Sequence, residues 1–123
     1  FQQAYFYPIN GVTKAFASDF DQDGDLDLVT IAFFADLKNR PFEKFTYLKN
    51  EHTSQSQDWV FKPLSLGIIP KGRWICMDVG DIDGDGDQDI VLGNYSKGFL
   101  NQENVTPTWD VKSPFLLLKN KTY

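Results

Sequence analysis

The chain has 123 residues, 41% of them hydrophobic and 24% charged, with a formal net charge of −5. That share of apolar residues suffices for one packed core, whereas no stretch approaches the roughly 18 apolar residues of a membrane-spanning helix. The acidic balance, with a pI near 4.6, argues against nucleic acid as a partner.

In chain order, Phe1 to Tyr7 reads as a strand belonging to an earlier unit, followed by Pro8. Val12 to Ala17 is the next strand, Asp19 to Asp27 an acidic loop, and Leu28 to Phe34 the strand after it. Phe45 to Asn50 is a third strand, Glu51 to Gln57 a polar turn, and Asp58 to Leu66 a fourth strand. Pro70 opens a second round: strand Trp74 to Val79, acidic loop Asp81 to Asp89, strand Ile90 to Leu92, a longer segment Tyr95 to Pro114, and strand Phe115 to Asn120. These short runs are rich in Val, Ile, Phe and Trp and lack helical periodicity, so the chain reads as all-β.

The acidic loops carry the chemistry. Asp19-Phe20-Asp21-Gln22-Asp23-Gly24-Asp25-Leu26-Asp27 returns 62 residues later as Asp81-Ile82-Asp83-Gly84-Asp85-Gly86-Asp87-Gln88-Asp89. Carboxylates at loop positions 1, 3, 5 and 9 with Gly at 6 let a tight turn gather hard oxygens around one cation, while residue 7 offers its carbonyl. With no Cys or His in either loop, calcium suits the donor set better than zinc or copper, and the crowding of ligands favours it over magnesium. Ten of the seventeen acidic residues sit in these loops, leaving seven against twelve Lys and Arg, so the rest of the chain is formally +5. Five carboxylates within nine residues repel one another unless a cation lies among them. Two calcium ions would move the formal total from −5 to −1.

A helix-loop-helix calcium site needs a bidentate Glu at position 12, where this chain has Thr30 and Leu92. The unit is instead strand, loop, strand. Asp-x-Asp-x-Asp-Gly-x-x-Asp followed by Leu-Val or Ile-Val-Leu-Gly resembles the FG-GAP or VCBS-type repeat of integrin-like β-propellers and many secreted bacterial proteins. Because the Phe-Gly-Gly-Ala-Pro signature is absent, the VCBS-like branch is the closer match. The resemblance implies blades of four antiparallel strands, each with a calcium loop between its first two strands. It also implies Asp19, Asp21, Asp23 and Asp27 as side-chain ligands of one site, and Asp81, Asp83, Asp85 and Asp89 of the other. Asp25 and Asp87 would then lend their carbonyls and turn their side chains to solvent.

The third strands match at an offset of 70, so the second unit has gained about eight residues between its second and third strands. Residues 1–10 are read as the fourth strand of a preceding blade, 11–69 as a first blade, and 70–123 as a second blade lacking its fourth strand. Two blades offset by one strand leave apolar faces and open edges, which propellers remove by closing a ring of about four to eight blades. The further blades are expected from a longer chain or from head-to-tail homo-oligomers; a weaker option packs the two units face to face. The one Met, Met77, predicts that Phe1 is not a translational start and that the chain is processed or cut from something longer.

Other chemistry is sparse. His52 reads as a solvated histidine, Cys76 as a small core residue, and Trp59 and Trp74 as filling between blades. Tyr95 and Trp109, in or beside the Tyr95 to Pro114 segment, are the candidate ligand-binding aromatics. Asn94, Asn104 and Asn120 open Asn-x-Ser/Thr sequences. The expectation is a noncatalytic, calcium-stabilised module, extracellular, periplasmic or at the cell surface, that binds protein or glycan. The alternative is a noncatalytic part of, or accessory to, a secreted carbohydrate-active enzyme.

Overall fold

The structure is a computed structural model that describes residues 1–52, 59–64, 72–95 and 114–121. Among the described residues seven strands form two antiparallel sheets: β1 (Lys14–Ser18), β2 (Asp27–Ile31), β3 (Phe45–Asn50) and β4 (Phe61–Leu64) in one, and β5 (Trp74–Gly80), β6 (Asp89–Asn94) and β7 (Phe115–Leu118) in the other. Strand order follows the chain in both sheets, as successive hairpins require. A short 3-10 turn, Pro41–Lys44, leads into β3.

The two sheets repeat one register. Leu28 faces Leu48 across β2 and β3, and Ile90 faces Leu118 across β6 and β7. Ser18 faces Asp27 and Gly80 faces Asp89, so each acidic loop closes the first hairpin of its sheet. Thr30 and Leu92 lie in β2 and β6, consistent with a strand after each loop.

The core lies between the sheets. Val29, Ile31 and Phe45 from the first meet Trp74, Met77, Ile90 and Leu92 from the second, with Phe20 of the first loop among them. Val29, Ile31 and Leu92 are fully buried, each contributing about 1.5–3 kcal/mol. The faces in contact are not equivalent: the counterpart of Phe45, 3% exposed in this core, is Phe115, which is 64% exposed. Leu117, the counterpart of half-buried Tyr47, is likewise 44% exposed. One unit's front therefore packs on the next unit's back, a heterologous stacking, which excludes the symmetric face-to-face pack.

Away from the acidic loops the sheets are joined by Arg73. Its Nε donates to the Phe33 carbonyl (3.1 Å), its guanidinium lies 3.9 Å over the Phe33 ring, and Tyr95 meets that ring edge-on at 5.1 Å. Lys44 is buried as well; desolvation and then the Arg73 charge hold its pKa below the usual lysine range.

Phe1–Tyr7, read as a strand of a preceding blade, is paired into neither sheet, and its Tyr5 ring lies 4.8 Å from Phe61 of β4. Three readings need correction. Cys76 is exposed rather than core, because the sequence-adjacent Met77 takes the inward position of β5. Trp59 is 44% exposed and stacks at 4.6 Å on His52, so it does not fill the space between the sheets; Trp74 does. His52 is accordingly half-buried against Trp59 instead of free in solvent.

Candidate metal centre

Each acidic loop folds around its first aspartate. Asp23 and Gly24 amides donate to Asp19 Oδ1 (3.1 Å) and Oδ2 (2.9 Å). In the second loop Gly84 and Asp85 amides donate to Asp81 Oδ1 (2.8 and 3.1 Å), and the Gly86 amide to Oδ2 (2.9 Å). Position 6 must adopt a left-handed backbone to complete this turn, and Gly24 (φ 100°) and Gly86 (φ 97°) do so without a Cβ clash. Weaker bonds repeat in step: Asp25 N–H to Asp23 Oδ1 at 3.2 Å, Asp87 N–H to Asp85 Oδ1 at 3.3 Å.

The aspartates at position 9 are the buried anchors, Asp27 at 0% and Asp89 at 1% exposure. The Asn50 amide donates to Asp27 Oδ1 (2.8 Å) and the Tyr47 hydroxyl to Oδ2 (2.8 Å). The Asn120 amide donates to Asp89 Oδ1 (2.9 Å) and the Ile82 amide to Oδ2 (2.9 Å). Burial, followed by the bond to Asp27, pushes the Tyr47 phenol well above its ordinary pKa.

Position 3 is held by a lysine in each unit. Lys49 Nζ lies 2.9 Å from Asp21 Oδ2, and Lys119 Nζ pairs with Asp83 and lies 3.7 Å from Asp85 Oδ2. Burial works against ionisation of Asp21, but hydrogen bonds involving Lys49 and Asp23 outweigh it and bring its pKa below the usual carboxylate value.

Carboxylate oxygens converge in both loops. Asp19, Asp21 and Asp27, and also Asp21, Asp23 and Asp25, bring ligand atoms within 4.8 Å of one another; so do Asp81, Asp83 and Asp85, and Asp83, Asp87 and Asp89. All ten aspartates named from the sequence therefore take part. The side chains at position 7 do not turn to solvent as expected. Asp87 is 1% exposed and Asp25 half-buried, and Asp25 Oδ1 and both Asp87 oxygens have no hydrogen-bond partner. The physical reason is the turn itself, which folds position 7 back over positions 3, 5 and 9. Desolvation first, then neighbouring carboxylates, push Asp25 and Asp87 up to about 6. Buried, partnerless carboxylate oxygens amid other carboxylates fit a hard cation, whose charge would satisfy them.

Sequence reasoning missed Lys49, Asn50, Lys119 and Asn120. Their signal was present, because Lys-Asn ends the third-strand segment of both units at the offset of 70. Tyr95 is half-buried and packed on Phe33, at the end of β6 away from the acidic loop. Trp109 lies outside the described residues.

Neither curated proteins nor solved structures gave a match to this chain. A family model described as FG-GAP-like repeat matches residues 19–92, which is more than half of the chain and runs from the first aspartate of one loop into the strand after the other. With its two in-register units, the chain belongs to the FG-GAP-like repeat family.

Proposed function

We propose that this chain is a calcium-stabilised segment of a β-propeller, a noncatalytic module of a secreted or surface protein that binds protein or glycan. The observation that carries the calcium reading is Asp87: a 1% exposed carboxylate with both oxygens unpartnered, beside Asp83 and Asp89. Bringing such charges together is unfavourable without a counter-cation, so ion binding would add directly to folding free energy. Asp19, Asp21, Asp23, Asp25 and Asp27 would hold one ion, and Asp81, Asp83, Asp85, Asp87 and Asp89 the other. The ion supplies positive charge and fixes the hairpin; the lysines paired with position 3 temper its affinity.

The propeller reading rests on the heterologous stacking. The exposed face bearing Phe115 and Leu117 corresponds to the face that the second sheet covers on the first, so a further blade of the same kind fits it. Extracellular modules bind calcium at about 10⁻⁴–10⁻³ M, which suits a location outside the cytosol.

Thermal melting of the chain in EDTA, in millimolar calcium and in millimolar magnesium tests the reading. Calcium should raise Tm by several degrees more than magnesium. Equal melting in all three solutions contradicts it.

A further inference from the structure

We propose that the two acidic loops bind calcium as a coupled pair and that Asn120 is the positioning residue that couples them; this rests on the calcium reading of the loops. Asn120 touches both. Its amide N–H donates to Asp89 Oδ1 (2.9 Å), and its side-chain Nδ2 donates to the Gln88 carbonyl (3.1 Å) within its own unit. The same Nδ2 donates to the carbonyl of Phe20 at 2.6 Å, and Phe20 stands between Asp19 and Asp21 in the other loop. One side chain thus ties the position-9 corner of the second loop to the position-2 peptide of the first.

The first unit contains an internal control. Asn50, the counterpart of Asn120, makes the equivalent bonds, amide N–H to Asp27 Oδ1 at 2.8 Å and Nδ2 to the Leu26 carbonyl at 3.0 Å. Asn50 Oδ1 also accepts from the His52 amide. Its bonds stay in its own unit, so it anchors a loop without joining two.

A second strut runs parallel. Gln22 Nε2 donates to the Gly86 carbonyl (3.3 Å), and Gly86 amide N–H is bound to Asp81 Oδ2. Gln22 holds a left-handed backbone (φ 59°) where its counterpart is Gly84, a conformation that L residues other than glycine seldom adopt. That side chain reaches across the junction from this strained position. Phe20 is itself 5% exposed within the shared core. An ion that fixes Asp19 and Asp21 therefore fixes the Phe20 peptide, which orders Asn120 and with it Asp89. The second ion then meets a partly ordered loop, and by linkage the effect is reciprocal.

The test is calorimetric calcium titration of the full chain and three variants. The unaltered chain should bind two ions with positive cooperativity, and loss of the second site through Asp83→Ala should weaken the first at least about fivefold. Asn120→Ala should keep two ions and lose the coupling, so that the sites titrate independently, whereas Asn50→Ala should remain cooperative. A cleft of about 290 Å³ lined by Phe20, Tyr47, Ile90, Leu118 and Asn120 already borders the junction, so truncating Asn120 extends an existing opening. Should Asn120→Ala fail to fold, the exposed Gln22→Ala serves instead, with a partial loss of cooperativity expected. Two ions bound independently by the unaltered chain, or equal coupling in Asn120→Ala and the unaltered chain, overturns Asn120 coupling while calcium binding stands. Absence of bound calcium overturns both.

Discussion

The Asn50 amide donates to Asp27 Oδ1 at 2.8 Å, pinning the start of β2 to the end of β3 through a carboxylate with no solvent exposure. Tyr47 occupies the other oxygen of Asp27. Removing the carboxylate strands two donors. Asp27→Ala should destabilise the calcium-free chain by about 3–5 kcal/mol, against about 1–2 kcal/mol for Tyr47→Phe, in urea unfolding with EDTA. Similar losses from both changes would contradict the anchoring role of Asp27.

Asp25 and Asp87 predict an inverted pH response of the metal-free fold. Both carboxyls are raised from the ordinary 3.8 to about 6, so between those values the folded state holds more protons than the unfolded one. Stability of the EDTA-treated chain should therefore fall as pH rises from about 4 to about 6, the opposite of a salt-bridged carboxylate. The stabilisation given by calcium should grow across the same window. Tm measured at half-unit pH steps with EDTA and with calcium checks both slopes.

The same residues give a charge-removal prediction. Asp87→Asn keeps the shape of the side chain and deletes a buried charge, so the metal-free chain should melt a few degrees higher at pH 7. Scanning calorimetry in EDTA reads this directly; a lower Tm would mean that Asp87 is stabilised in the folded state by groups other than a cation.

The repeat, the loops and the strands could be read from residue order, because short runs rich in Val, Ile, Phe and Trp and an alternating acidic turn are local signals. Phe45–Asn50 is observed with its expected bounds, and β5 ends one residue later than expected. What escaped depends on long-range packing. Whether Cys76 or Met77 faces inward depends on an irregularity in the β5–β6 register between Trp74 and Cys76, which shifts the alternation. The inward turn of Asp87 follows from how the loop closes over Asp83 and Asp89, and the Asn120 bond to Phe20 spans 100 residues. No local pattern encodes that contact, although the repeated Lys-Asn pair marked its place.

Lys49 predicts a trade between charge balance and affinity. It neutralises Asp21 in the metal-free loop, and the carboxylate in turn raises the Lys49 pKa. Lys49→Gln should tighten calcium binding at the first loop by about twofold to fivefold, because an incoming ion no longer displaces or repels an ammonium. Calorimetric titration at low and high salt checks it, and the gain should shrink as salt screens the charge.

Native mass spectrometry in a calcium-containing volatile buffer counts the ions held by the two acidic loops. One calcium ion in each loop gives two ions per chain, falling to one in Asp83→Ala. A chain that carries no calcium, or an Asp83→Ala variant that still carries two ions, overturns the assignment of one ion to each loop.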